Sequence, residues 1–268
     1  MADAASRRAA VLGSPISHSL SPALHRAAYR GLGLDWSYDA IEVDEPGLST
    51  FLAGLGPEWA GLSLTMPLKE AVIPLLSEVD PEARSLRSVN TVLPGPQGWR
   101  GTNTDVYGIT QSLLEKGLDA TPRSATILGA GATARSAVAA LVRLGTRSVV
   151  VCARRPEAAA EVVELAARFG LPGRSAPLDP DAGLVRADVV ISTLPGDAAA
   201  EWAPLAGSAG GVLLDASYHP WPTPLAASWE GGRVASGRDM LLWQAVEQVR
   251  LMTGREPDVA LMASALTS

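Results

Sequence analysis

The segment "SATILGAGATARSAVAALVRLG", residues 124–145, constrains the fold more than any other stretch. Thr126-Ile127-Leu128 reads as the end of a β-strand, and alanine-rich helical spacing begins at about Ala132. Two glycines stand between them. Gly129 suits the tight turn, and Gly131 lets the backbone approach a pyrophosphate that the first N–H groups of the helix would face. A following apolar run, "SVVVCA", closes a βαβ unit, the context in which a glycine pair reads as a dinucleotide site. The third glycine of that fingerprint is absent, but Ala134 and Ser136 are small enough for close helix–strand packing.

The second strand of the unit ends in "CARRPEA". An NAD site would place an Asp or Glu there to hold the ribose 2′-hydroxyl. Arg154 and Arg155 stand in that place and suit a 2′-phosphate instead. The expected cofactor is therefore NADP(H), with Glu157 facing solvent. Further on, "ADVVISTLP" reads as a strand with Ser192 and Thr193 at its C-terminal end, where ligands sit in open α/β sheets.

Elsewhere, short apolar runs ended by Gly, Pro or Ser alternate with alanine-rich helical patterns, which is the α/β signature. Residues 9–13 read as the first strand, with Arg7 and Arg8 in a frayed polar leader. "SPALHRAAYRGLGL" reads as a helix with Ser21 as N-cap and Pro22 at its first position. "WSYDAIEV", "WAGLSLTMP" and "SVNTVLP" read as strands, "PGLSTFLAGL" and "LKEAVIPLLS" as helices. At "GWRGTNTDVYG" a Gly- and Thr-rich turn changes the texture. This predicts a boundary between an α/β substrate domain, 1–104, and a doubly wound, Rossmann-like domain, 105–237. The helical face of Leu241, Leu242, Ala245, Val246 and Val249 predicts that 238–268 returns to the first domain.

Composition narrows the function. At 268 residues, with 47% apolar and 19% charged residues, the chain is long enough for two ordinary domains. A net charge of −6 gives no footprint for nucleic acid or an anionic membrane. The lone Cys152 lies in an apolar run and reads as a buried structural thiol. No apolar run is long enough for a bilayer span or a signal peptide, so the expected location is the cytoplasm. No His/Cys/Asp cluster has metal-ligand spacing, and the seven tryptophans read as packing.

Only two of the 22 basic residues are lysines, Lys69 and Lys116. Lysine is a compact ammonium that can exchange a proton, whereas the guanidinium of Arg does not titrate in proteins. In a chain that otherwise uses Arg, Lys69 in "TMPLKEAV" points to proton chemistry; Lys116 reads as a solvated surface charge. Other polar residues collect at expected strand ends: Ser17, His18, Ser19 and Ser21, then Thr65, Asn90-Thr91 and Asn103-Thr104-Asp105. They suit a polyhydroxylated small molecule, although turns and caps account for any one of them alone. If folded together, Lys69 and Asp105 form an ammonium–carboxylate couple able to relay a proton. His25, inside a helix, reads as structural, and His18 as a hydrogen-bonding scaffold.

"GSPISHSLSPALH", "LTMPLK", "VNT", "GTNTDVYG", "GAGATAR" and "SGRDMLLWQA" together resemble the shikimate dehydrogenase family, in the family's order and over nearly the whole chain. The resemblance implies NADPH-dependent reduction of 3-dehydroshikimate to shikimate by a monomer or homodimer. Lys69 and Asp105 would act as the catalytic pair. Ser19 and Ser21 would bind the substrate carboxylate, and Thr65, Asn90, Asp105, Tyr218 and Gln244 the ring hydroxyls. The cofactor would lie on Gly129, Ala130, Gly131, Ala132 and Thr133, on Ala153, Arg154 and Arg155, and by Ala216 and Gly237. The chain departs from the family pattern at Ser63, where Asn is usual, at Ala132, where Gly is usual, and at "ARRPEA". Two alternatives stay open: dual specificity for quinate and shikimate, and a relative that binds NADP without turnover.

Overall fold

An unbroken apolar run can be buried on both faces of a sheet, and "AAVLG" supplies one to the first strand, β1 (Arg7–Gly13). The structure is a computed structural model describing residues 6–118 and 121–266. Arg7 and Arg8 are not a leader but part of β1; the leader residues 1–5 lie outside the described residues. Both arginines stay in the strand because tryptophans cover them. The Arg7 guanidinium lies 5.7 Å from the ring of Trp36 and that of Arg8 4.6 Å from Trp59.

β1 pairs in parallel with β2 (Trp36–Glu42) and with β3 (Trp59–Leu64), the latter buried along its whole length. Helices α1 (Ser21–Gly31) and α2 (Glu45–Ala53) make the crossovers. After β3 come a short helix, α3 (Leu68–Ala71), a strand, β4 (Glu78–Val79), and α4 (Pro81–Leu86). A hairpin of β5 (Thr91–Gly95) and β6 (Gly98–Thr102) completes the sheet, in the order β2-β1-β3-β5-β6-β4. β6 occupies what the sequence suggested was only a turn. Its Gly98 adopts a φ of 128°, open to glycine at low cost, which lets the chain reverse after so few residues.

The second sheet is parallel throughout. α5 (Asp105–Glu115) precedes it, and β7 (Ala125–Leu128), α6 (Ala132–Arg143), β8 (Val149–Ala153), α7 (Pro156–Arg168) and β9 (Gly173–Pro177) form one half. The other half is α8 (Ala182–Val185), β10 (Val189–Ser192), β11 (Val212–Asp215), α9 (Pro224–Ala227) and β12 (Val234–Ser236), with a 3-10 stretch, Gly196–Ser208, between β10 and β11. The order β12-β11-β10-β7-β8-β9 reverses direction between β7 and β10, so their C-terminal ends flank a crevice. α10 (Gly237–Thr253) and α11 (Val259–Ser264) end the chain, and α11 packs on α1.

Two compact units result: Met1–Thr104 with Gln244–Ser268, and Asp105–Trp243. Among the described residues no helix is long and apolar enough to cross a membrane. Cys152 is fully buried, and desolvation raises its thiol to about 11, which leaves it an inert thiol. Lys116 differs from expectation. Its Nζ lies 3.2 Å from Asp239 Oδ1, and the pair joins the end of α5 to the first turn of α10. At this half-exposed position the pair contributes about 0–1 kcal/mol.

Gly129 holds the turn between β7 and α6 with a φ of 110°, and a Cβ there would meet Thr193 Oγ1 at 2.3 Å. Both strain and collision oppose any side chain. Gly129→Ala should lower the unfolding free energy by about 1–3 kcal/mol in urea denaturation; unchanged stability would show that the turn relaxes freely.

Candidate active site

Asn90 stands just before β5 with both ends of its amide engaged. Its Oδ1 accepts from the Thr104 N–H (2.8 Å) and from Thr91 Oγ1 (2.9 Å). Its Nδ2 donates to Thr104 Oγ1 (3.0 Å) and to Gln244 Oε1 (3.1 Å). One side chain thus joins the start of β5, the residue before α5 and the middle of α10. Asn90, Thr91, Thr104 and Gln244 are all buried, where an amide without partners would cost several kcal/mol, so the arrangement is fixed.

Beside it, β3 turns into α3 through "TMPLK". The Thr65 N–H donates to Leu12 O (2.9 Å), and the Val89 N–H donates to Lys69 O (2.8 Å), next in sequence to Asn90. Lys69 is therefore held by its backbone at the start of α3, half-buried, on the Asn90 side of the first unit. Ser19 and Ser21 sit where the loop after β1 enters α1. Ser21 is not the N-cap, which is Leu20 and makes no side-chain cap hydrogen bond; Ser21 is the first residue of α1, and its N–H donates to Ser19 Oγ at 3.3 Å. His18 is exposed.

His25 is completely buried on α1. Its ring stacks on Tyr38 with centroids 3.9 Å apart, and its Nε2 lies 3.2 Å from Gln248 Oε1. The Gln248 amide nitrogen donates to Asn90 O and Thr91 Oγ1, so its oxygen must face the histidine, which carries its proton on Nε2. Nδ1 has no hydrogen-bond partner. Burial lowers the His25 pKa to about 3, opposed in part by Gln248.

In the second unit the proposed cofactor residues surround a cavity of about 400 Å³, lined by Gly129, Ala130, Gly131, Ala153, Arg154 and Arg155. Gly131 is the N-cap of α6 and offers no side chain to its amides; a Cβ there would project into open space. Ala132 and Thr133 form the first turn of α6, while Ala134 and Ser136 are buried and bring that helix close to the sheet. The residues fit a dinucleotide phosphate: a bare helix N-terminus with two exposed arginines at the end of the adjacent strand. Leu178, Leu194 and Ala158 also line this cavity. Sequence reasoning missed all three; only Leu194, directly after the strand end Ser192-Thr193, carried a signal.

Ala216 and Gly237 also come together. Gly237 N donates to Ser217 O at 3.1 Å, and a Cβ on Gly237 would stand 2.2 Å from Ala216 O. The loop carrying Ala216 and Tyr218 is anchored by the buried Asp215, which accepts from Thr223 Oγ1 (2.6 Å) and from the Ser217 N–H (3.2 Å). Burial raises the Asp215 pKa, and those hydrogen bonds oppose the rise. Asp105 is buried as the first residue of α5, where a helix N-terminus favours a carboxylate. The first unit thus gathers Ser19, Ser21, Thr65, Lys69, Asn90 and Gln244; the second carries Asp105, Tyr218 and the cofactor set.

Comparison with known proteins shows the family and the fold. A family model described as the shikimate dehydrogenase substrate binding domain matches residues 11–92, and one for the shikimate 5'-dehydrogenase C-terminal domain matches 237–267. The shikimate dehydrogenase (NADP(+)) of Moorella thermoacetica is 39% identical over 265 residues, 94% of this chain and 90% of the relative. The crystal structure of Mycobacterium tuberculosis shikimate dehydrogenase superposes with a TM-score of 0.91 at 44% identity, covering 97% of this chain and 99% of that one. The Thermus thermophilus enzyme, solved in complex with NADP(H) and shikimate, gives a TM-score of 0.85 at 33% identity over 97% and 98% of the chains.

The buried histidine has a measurable consequence. Its folded pKa is depressed, so its contribution to stability is complete above the unfolded value of 6.5 and is lost as pH falls toward 3. The loss should approach about 1.4 kcal/mol per pH unit. His25→Gln keeps a donor but does not titrate, so the advantage of the wild type over it should shrink between pH 7 and 4 in urea denaturation. A constant difference would place the protonation elsewhere.

Proposed function

The chain belongs to the shikimate dehydrogenase family, and on that premise we propose that it catalyses the reversible NADPH-dependent reduction of 3-dehydroshikimate to shikimate in the shikimate pathway. The observation that carries the reading to these residues is the Asn90 junction. It holds two amides in one buried cluster with hydroxyls, beside the β3–α3 turn that bears Lys69. Hydroxyl and amide groups fixed in this way suit a ring with several hydroxyls and cannot turn to water when the ring arrives.

NADPH, when held at the β7–α6 turn, would supply the hydride for the ring ketone. The chain's own task is the proton. Negative charge grows on the ketone oxygen, and the Lys69 ammonium delivers a proton there, a contribution of about 10²- to 10⁴-fold. Asp105 is the partner carboxylate that holds the ammonium and the reacting hydroxyl in line. Ser19 and Ser21 bind the ring carboxylate. Thr65, Asn90, Tyr218 and Gln244 orient the hydroxyls, so that one ring carbon is presented for reaction. On the cofactor side, Gly129 to Thr133 would hold the pyrophosphate, Ala153 to Arg155 the 2′-phosphate and adenosine, and Ala216 and Gly237 the nicotinamide end. Leu178 and Leu194 add an apolar wall that fits the adenine. The setting is cytoplasmic, and the protein works as a monomer or homodimer without metal or nucleic acid.

NADPH formation from shikimate and NADP⁺, with quinate and NAD⁺ as parallel substrates, tests the reading; turnover of shikimate with NADP⁺ should exceed both alternatives. Lys69→Arg keeps the charge but cannot release a proton at neutral pH. It should lose about 10²- to 10⁴-fold in kcat with little change in the KM for shikimate. Near-normal turnover of that variant would exclude the lysine as acid. Replacing Arg154 and Arg155 together by Ala should raise the KM for NADP⁺ by about tenfold or more while leaving that for NAD⁺ nearly unchanged. An equal rise for both cofactors would remove the 2′-phosphate from these arginines.

A further inference from the structure

A loop places a ligand-binding side chain only as well as its two feet are held. The loop 216–222 carries Tyr218, the proposed ring-hydroxyl contact, and both of its feet are tied to one carboxylate. Asp215, the last residue of β11, accepts from the Ser217 N–H at 3.2 Å through Oδ1 and from Thr223 Oγ1 at 2.6 Å through Oδ2. Asp215 and Thr223 are each 1% exposed, whereas His219, Pro220, Trp221 and Pro222 between them lie in the open. Pro220, Pro222 and Pro224 remove N–H groups that would otherwise tie this stretch to the sheet.

The far foot is rooted in the core. Thr223 is the N-cap of α9, and its Oγ1 accepts from the Ala226 N–H at 3.1 Å. Its one hydroxyl proton goes to Asp215, and an ionised carboxylate offers only acceptors, so donor and acceptor match throughout. Leu225, at 0% exposure, sets α9 into the same apolar cluster as Leu213 of β11. At the near foot the Ala216 N–H donates to Ser192 O (2.9 Å), and Ser217 O accepts from the Gly237 N–H (3.1 Å). The Tyr218 hydroxyl itself makes no hydrogen bond among the described residues, so its position comes from the loop.

We propose that the Asp215–Thr223 hydrogen bond is a clasp that positions Tyr218 for the substrate, with Thr223 a positioning residue that never touches the reacting groups. The inference rests on the reading of Tyr218 as a ring-hydroxyl contact. A hydroxyl on a carboxylate at this distance is among the stronger hydrogen bonds. Without it the far half of the loop loses its tie to β11, while Ser217 still holds the near half. Tyr218 then stands in its binding position in only a fraction of the molecules, and the apparent affinity for the ring falls by that fraction. Ala216 and Gly237 stay in place, so the loss falls on the substrate rather than on NADP⁺.

Thr223→Val keeps the shape of the side chain and removes the hydroxyl, whereas Thr223→Ser keeps the hydroxyl. The valine variant should raise the KM for shikimate about three- to tenfold, with kcat and the KM for NADP⁺ changed less than about twofold. The serine variant should stay within about twofold of the wild type in all three. In a Tyr218→Phe background Thr223→Val should add little, because both remove the same contact. If Thr223→Val does not fold, Asp215→Asn takes its place, since the one amide oxygen cannot accept at both feet, and it should shift the same KM. Additive effects in the double variant, a Tyr218→Phe with an unmoved shikimate KM, or a Thr223→Val that lowers only the melting temperature would reduce the clasp to a structural tie. A wild type inactive on shikimate would instead overturn the functional reading underneath.

Discussion

Two primary amides, Asn90 and Gln248, hold the first unit in the form a ligand would meet. Both are enclosed, and each uses its oxygen and its nitrogen on opposite partners. A buried amide is worth little net when satisfied and costs much when not. Their contribution is consequently specificity of arrangement. α10 has one register against β3 and β5 at which Gln244 meets Asn90 and Gln248 meets Thr91 and Ser63. Slipping the helix by one residue would put Trp243 and Glu247, or Ala245 and Val249, against those donors and acceptors. Lys69, tied through its carbonyl to Val89, inherits that precision.

The second unit uses a different constraint, the close approach of backbones. At Gly129 and Gly237 a side chain would collide with Thr193 or with Ala216 O. Removing Cβ there brings the C-terminal ends of β7, β10, β11 and β12 to one rim. The reversal of strand order between β7 and β10 opens that rim into a crevice. Arg154 and Arg155 stand at the end of β8, the next strand over, which places positive charge beside the helix N-terminus rather than in front of it.

Much of this was legible in the sequence because the signals are local. The α/β alternation follows from runs of apolar residues, and the turn before α6 from its two glycines. The missed parts depend on partners far away in the chain. Arg7 and Arg8 read as a leader because nothing nearby announces Trp36 and Trp59 as their covers. Ser21 reads as a cap because Ser-Pro is the local signature, whereas the helix starts one residue earlier than that signature implies, with Leu20 at the N-cap. The hairpin strand β6 is short and rich in Gly and Thr, so its pattern is that of a turn. Gln248 offered only a second polar residue four positions after Gln244, and its role emerges once His25, Ser63 and Asn90 are seen around it.

Above all, the account requires that the Lys69 ammonium and the Asp105 carboxylate address one oxygen of the substrate ring. A crystal structure with shikimate and NADP⁺ both bound tests this directly. It should show Lys69 Nζ and a carboxylate oxygen of Asp105 each within about 3.2 Å of the same ring hydroxyl, on the carbon that faces the nicotinamide. Shikimate bound with that hydroxyl turned to other groups, and Lys69 directed into solvent, would contradict it.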